Sequence, residues 1–270
     1  MTRLTFLGTG GGRFVTLTQE RSTGGIYLED DYKVHIDPGP GALDALKRNR
    51  IDPFKTEGLM ISHCHPDHYS NAETLMEGIS LGKRGKRGFL IAPVSVIKGK
   101  GRVGPAVSKY HLSKMRKVIT VNPGDEFKVR SLKGIATPSV HSDPSAVGFK
   151  FKTPHGEISY VADTELEDGV VESHDGSRIL ILAVTRPLEA RIPNHLCTED
   201  AADFAAIIEP ELCIITHMGK KFLKEDPVKQ ALWIEEHSGV RTIPGEDDMI
   251  VSLKQGIDVF SSSKSRSIPV

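Results

Sequence analysis

In the stretch Leu59-Met60-Ile61-Ser62-His63-Cys64-His65-Pro66-Asp67-His68-Tyr69, three imidazoles and a carboxylate fall within six consecutive positions directly after an apolar run. With 11 histidines in 270 residues, that combination at fixed offsets arises by chance with odds on the order of one in a thousand. Along an extended segment alternate side chains share a face, so His63 and His65 point the same way where the strand ends. Cys64 then points the other way, as a small buried residue. Pro66 stops a strand ladder and suits the first turn of a helix. Ala72, Leu75, Met76 and Ile79 repeat at helical spacing, so Asp67 and His68 open that helix, displaced from the first pair. Two candidate ligands before a bend and two after it suit a pair of metal ions, roughly 3.5–4 Å apart in such sites.

Length and composition bound what surrounds this cluster. A chain of 270 residues is long enough for a layered α/β fold in a single unit, and it buries roughly 70–75% of its unfolded surface without needing disulfides. We expect one domain over residues 1–260 and a frayed tail over 261–270. Cys64, Cys197 and Cys213 are odd in number and lack C-x-x-C spacing, which argues against a disulfide framework or a zinc ribbon and fits a reducing compartment. The opening MTRLTFLGTGGG is too short in apolar residues for a signal segment, and no run of about 18 apolar residues follows. The expectation is a soluble cytoplasmic protein with no membrane partner.

The net charge is zero, with 35 basic and 35 acidic residues, but the distribution is uneven. Between Gly78 and Gly124 there is no Asp or Glu, while eleven Lys and Arg fall there. Such a surface beside a metal site draws phosphorylated substrates or nucleic acid, and Lys83, Arg84, Lys86 and Arg87 are the candidate phosphate contacts. An ordinary solvated face is the competing reading.

Further candidates follow in chain order. Gly8-Thr9-Gly10-Gly11-Gly12 permits close backbone approach but matches neither phosphate-loop pattern. Asp37, at a strand end before Pro38-Gly39-Pro40-Gly41, is either support for a metal ligand or a turn former. His35 alternates with Val34 and Ile36 and reads as structural; His155 belongs to a turn. His141 stands where a strand gives way to a polar loop. Asp163 follows the strand Ile158-Ser159-Tyr160-Val161, and Ile179 to Val184 reads as a strand covered on both faces. Thr198 is the expected N-cap of a helix burying Phe204, Ile207 and Ile208. Leu212 to Thr216 delivers His217. Histidines and carboxylates thus recur at strand exits, where ligand sites of α/β folds gather. His237, near a helix C-terminus, reads as a dipole partner.

With His-x-His-x-Asp-His at 63–68, then His141, Asp163 and His217 in this order, nearly the whole chain resembles the metallo-β-lactamase fold hydrolases. The resemblance implies an α/β four-layer αββα sandwich with metals at one edge of two sheets. It assigns His63, His65 and His141 to one metal, Asp67, His68 and His217 to the other, and Asp163 to a bridge. His195, 22 positions before His217, is similar in placement to the histidine of the tRNA 3′-processing endonuclease branch and the cyclic-phosphodiesterase (PhnP-like) branch. Asn194-His195 followed by Ile215-Thr216-His217 resembles the latter more. Only 21 residues separate His141 from Asp163, so the long arm of the endonucleases is absent, as is the N-terminal cysteine cluster common in the other branch.

The expected function is therefore a dinuclear metal-dependent phosphodiesterase acting on a small cyclic or nucleotide-like diester or on RNA. His195 and Asp67 are its catalytic candidates. Two divalent cations are expected, zinc suiting the imidazole-rich set, with manganese or iron also accepted. A carboxylic ester, lactone or thioester hydrolase on the same metals, a nucleic-acid-binding protein with a non-catalytic metal site, and a homodimeric assembly stay open.

Overall fold

Apolar residues alternate along most strands of this chain, and one inward-facing set closes against another. The computed structural model describes residues 1–81, 86–261 and 264–268, the last by backbone alone. Among these, a nine-stranded sheet runs in the spatial order 264–268, 257–261, 250–253, 2–6, 26–29, 33–36, 58–60, 87–93 and 115–121. An eight-stranded sheet runs 242–244, 212–216, 177–186, 156–161, 147–153, 132–138 and 126–129, with the short strand 196–197 beside 177–186. Leu4, Phe6, Leu28, Ile36 and Met60 of the first meet Phe149, Phe151, Ile158, Ile181 and Ile214 of the second in a buried core.

Each sheet buries its other face under helices. Leu180, Leu182, Val184 and Ile215 pack against Phe204, Ala205 and Ile208 of the helix Thr198–Ile208 and Ile234 of the helix Pro227–Ser238. Leu59, Ile61 and Leu90 pack against Leu46, Leu75, Met76 and Ile79. These are the four layers αββα. Ser177–Arg186 is covered on both faces, which is why Ile179 to Val184 carries no polar alternation.

Four local expectations change. Ile207 is 61% exposed, because Ala201, Phe204, Ala205 and Ile208 centre the buried stripe and position 207 falls roughly 100° away from that centre. The N-cap of that helix is Cys197 rather than Thr198; the Cys197 N–H donates to Asp200 Oδ2 at 3.0 Å, and Thr198 Oγ1 donates instead to Gln230 Oε1 at 2.6 Å. The helix after the metal motif is split into Pro66–Tyr69 and Ala72–Ser80, because the Asn71 backbone N–H donates to Pro38 O and its side chain to Gly39 O. In the expected tail, Lys264–Ile268 pairs antiparallel with Ile257–Ser261. Residues 262–263 and 269–270 lie outside the described residues.

Two histidines are buried away from any metal cluster. His35 has Nε2 2.6 Å from Gly24 O, and burial pushes its pKa down to about 4. His174 meets Ser159 Oγ at 2.8 Å through Nδ1, its Nε2 has no partner, and burial pushes its pKa down to about 3. A group depressed on folding supplies stability that is whole above its unfolded pKa and is lost as pH falls towards the folded value. For His174 that window is about pH 6.5 down to about 3. His174→Asn, which keeps an amide near Ser159 and removes the titration, is expected to lessen the loss of stability between pH 7 and pH 4.5 by on the order of 2 kcal/mol. Urea midpoints of both proteins at the two pH values check this; parallel losses would refute it.

Candidate metal centre

Strand exits place the donors. Gly58–Met60 runs parallel to Lys33–Ile36 and Arg87–Pro93, and its exit carries Ser62 to His65 over the sheet edge. The short helix at Pro66 then raises Asp67 and His68, Leu212–Thr216 delivers His217, and Gly156–Val161 delivers Asp163. His63 Nε2 lies 2.9 Å from His65 Nδ1, which lies 3.1 Å from His141 Nε2. In a second group, His68 Nε2 is 3.1 Å from His217 Nε2, which is 3.3 Å from Asp67 Oδ2. Asp163 stands between them, its Oδ2 3.9 Å from both His68 Nε2 and His141 Nε2.

The outer ring nitrogens determine what these inner ones present. His141 Nδ1 faces the Asn194 carbonyl at 2.9 Å and must donate to it. The Ser62 hydroxyl donates to Asp37 at 2.6 Å, so its oxygen accepts from His63 Nδ1 at 3.0 Å. His68 Nδ1 donates to Asp37 Oδ2 at 2.8 Å. The Nε2 atoms of neutral His63 and His141 therefore offer lone pairs to the same small space, as does that of His68 once neutral. His65 Nδ1 and His217 Nε2 face the same space, and with their inner nitrogens also unprotonated the lone pairs converge as the donor set of a cation. Asp163 Oδ1 is also buried without a hydrogen bond, which marks an acceptor prepared for a non-protein partner. The donor set thus fits divalent cations held by His63, His65 and His141, and by Asp67, His68 and His217, with Asp163 shared.

Electrostatics agree. Burial pushes His63, His65 and His141 below the ordinary imidazole range, which favours the neutral ligand form. Burial also acts downward on His68, but the charges of Asp67 and Asp37 outweigh it and hold the group up at about 10. Burial would raise Asp163, yet His217 and His195 beside it hold it well below the carboxylate range.

Asp37 organises the centre from beneath. Its carboxylate accepts from the Ser62 N–H, the Ser62 hydroxyl, His68 Nδ1 and the Tyr160 hydroxyl, all within 2.8 Å. Backbone strain gathers here too. Asp37 (φ 50°), Asn194 (φ 65°) and His217 (φ 58°) all adopt left-handed conformations, which cost roughly 1–3 kcal/mol each.

Several participants were not legible in the sequence: Tyr160, Thr185, whose Oγ1 lies 3.0 Å from His217 Nδ1, and the Gly12 N–H, which donates to Asp67 Oδ2 at 3.0 Å. The glycine run was the available signal. A Cβ on Gly11, whose φ of −157° any residue adopts, would lie 2.2 Å from the His217 ring. Gly11→Ala is therefore expected to displace His217 and weaken metal retention by about 10- to 100-fold with the fold intact. Metal per chain after dialysis, beside circular dichroism, checks this.

The centre forms the floor of a cavity of about 820 Å³. His195 lines it with Nε2 3.4 Å from Asp163 Oδ2, while its Nδ1 donates to Pro193 O at 3.0 Å. Burial acts downward on His195, but the hydrogen bond and charge of Asp163 raise its pKa. The candidate phosphate contacts need correction. Lys86 and Arg87 do not line the cavity, because Arg87 begins a strand whose opposite end faces the centre, roughly 20 Å away at about 3.3 Å per residue. Lys83 and Arg84 lie outside the described residues. The cations that do line it are Arg13, Arg186, Lys220, Lys221 and Lys224.

Comparison with known proteins agrees with this geometry. The family described as Beta-lactamase superfamily domain matches residues 32–218. An uncharacterised protein of Methanocaldococcus jannaschii is 41% identical over 93% of this chain and 95% of its own. A ribonuclease Z of Thermococcus kodakarensis is 24% identical over 95% of this chain and 96% of its own. That alignment spans 318 positions against 270 residues here, so the enzyme carries segments without a counterpart in this chain. Among solved structures, a diphosphatase of the PhnP family superposes with a TM-score of 0.70 at 18% identity, over 94% of this chain and 98% of that one.

Proposed function

The chain belongs to the beta-lactamase superfamily and has the metallo-β-lactamase fold of metal-dependent hydrolases, and from that premise we propose that it is a dinuclear phosphodiesterase acting on nucleotide-like diesters. One observation carries this reading: beyond Asp67 and Asp163 of the centre itself, every charged side chain lining the cavity is a cation. Such a wall favours an anionic diester over a neutral ester or lactone. The names of similar proteins, a ribonuclease and a diphosphatase, point the same way.

Two divalent cations, zinc by the proposal, would supply an activated water and polarise the scissile phosphorus–oxygen bond. The chain does the rest. His63, His65 and His141 fix one side of the floor and Asp67, His68 and His217 the other, with Asp37, Asn194 O and Thr185 fixing ring orientation from behind. The cations lining the cavity draw the anionic substrate in. His195 Nε2 faces the cavity 3.4 Å from Asp163 Oδ2, whose hydrogen bond and charge raise its pKa and favour the protonated ring, and in this reading it delivers a proton to the departing oxygen. Among the described residues no helix is long and apolar enough to cross a membrane, and the three free thiols are buried, in keeping with the cytoplasmic placement proposed here.

A panel comparing bis-p-nitrophenyl phosphate with p-nitrophenyl acetate, a lactone and a thioester, with zinc or manganese added, tests the reading. The diester should be turned over at least tenfold faster than the others. Preference for the lactone or thioester would overturn it in favour of a carboxylic ester hydrolase. Salt-dependent RNA binding without hydrolysis of any substrate would favour the nucleic-acid-binding reading.

A further inference from the structure

The helices Gly12–Thr18 and Lys220–Lys224 both border the cavity, and between them they leave two features without a structural use. Phe14 is 64% exposed and Leu17 77% exposed, yet both line the cavity. Large apolar side chains held open beside a polar centre are a recurring device for stacking a flat ring. Lys220, Lys221 and Lys224 supply three positive charges within five residues, and none of them forms an ion pair among the described residues. A single scissile phosphate, already met by the cations the floor would hold, does not call for three further lysines on one wall of the cavity. The cavity, at about 820 Å³, lies within the roughly 300–1,000 Å³ of small-molecule sites and holds more than one phosphate group.

From these observations we propose that the cavity recognises a nucleotide unit flanked by two phosphates. The scissile phosphate lies over the metal floor, the non-scissile one lies against Lys220, Lys221 and Lys224, and the base rests on Phe14 and Leu17. The source is either a short oligonucleotide or a free nucleoside bisphosphate. This inference rests on the phosphodiesterase reading only for what happens at the floor; recognition of the second phosphate is a separate property of the wall.

The test is therefore a binding measurement with a probe that contains no diester bond. Adenosine 3′,5′-bisphosphate, adenosine 5′-monophosphate and inorganic phosphate are titrated by calorimetry into the metal-loaded full chain. The bisphosphate should bind at least tenfold more tightly than the monophosphate, and the monophosphate more tightly than inorganic phosphate. In Lys220→Glu/Lys224→Glu the preference for bisphosphate should fall below about twofold, and in Phe14→Ala the preference for adenosine monophosphate over phosphate should collapse. Circular dichroism and thermal melts confirm that both variants fold. Equal affinity for bisphosphate and monophosphate, or a preference that survives charge reversal in folded protein, overturns the inference. Preferential bisphosphate binding by a protein that hydrolyses no diester supports it while overturning the phosphodiesterase reading alone. A dinucleotide with a 5′-phosphate, compared with the free bisphosphate, distinguishes the two sources.

Discussion

Asp163→Ala is expected to leave a folded protein that retains no more than one metal per chain and loses diester hydrolysis by about a thousandfold. Among the described residues Asp163 is the only carboxylate within 4 Å of both imidazole groups, with Oδ2 3.9 Å from His68 Nε2 and from His141 Nε2. Its Oδ1 lies 3.1 Å from His217 Nδ1 but makes no hydrogen bond. Removing it takes a negative charge from a fully buried space that two dications would share. Deleting one partner of a buried charge group costs about 3–5 kcal/mol, and each 1.4 kcal/mol is a factor of ten, so metal affinity should fall by roughly 10²–10⁴. Metal per chain by atomic emission, alongside kcat, reads both effects. Asp163→Asn separates charge from shape: it keeps an oxygen in place and should recover fold stability but not the second metal. A variant that still holds two metals and turns over at a tenth or more of the normal rate would falsify the shared-ligand role.

How much of this centre is legible in the sequence depends on the range of the interaction. His63, His65, Asp67 and His68 sit within one bend, so local alternation and the helix break at Pro66 expose them. His141, Asp163 and His217 each follow an apolar strand, and that position is visible because a strand's polar exit residue interrupts a Val/Ile/Leu run. The four layers follow likewise from runs such as Ile179 to Val184, which need cover on both faces. What stayed hidden is pairwise and distant. Tyr160 reads as one aromatic in a strand, and only the packing of one sheet on the other brings its hydroxyl 2.8 Å from Asp37. Thr185 reaches His217 because Ser177–Arg186 and Leu212–Thr216 run parallel in register, which neither segment encodes alone. Of the basic segment, Lys86 and Arg87 stand off the cavity for the same reason. Eleven cations between Gly78 and Gly124 are conspicuous in one dimension, but Arg87 enters its strand at the end remote from the candidate centre. The cavity instead draws on Arg13, Arg186 and three lysines just past His217, spread over more than two hundred positions. Charge density along the chain is a poor guide to charge density in a cleft when a sheet separates its two ends.

His195→Ala should behave in the opposite way to Asp163→Ala, keeping both metals and losing turnover according to the leaving group. His195 lies outside the two triplets assigned to the metals, although with His141 and Asp163 it forms a further group of donors; its Nε2 faces the cavity 3.4 Å from Asp163 Oδ2, and its backbone neighbour Asn194 holds His141 through the carbonyl. The imidazole can therefore be cut away while the main chain continues to orient His141. General acid catalysis contributes about 10²–10⁴-fold where the departing oxygen needs a proton. A nucleoside alkoxide needs one; p-nitrophenolate leaves without. The loss should accordingly reach about a hundredfold or more on a dinucleotide and stay under about tenfold on bis-p-nitrophenyl phosphate. That split separates proton donation from positioning of Asp163, because a disturbed centre would slow both substrates alike. Equal losses on the two substrates, with metal content unchanged, would assign His195 to holding Asp163 rather than to the departing oxygen. Normal turnover of the dinucleotide would remove His195 from the mechanism altogether.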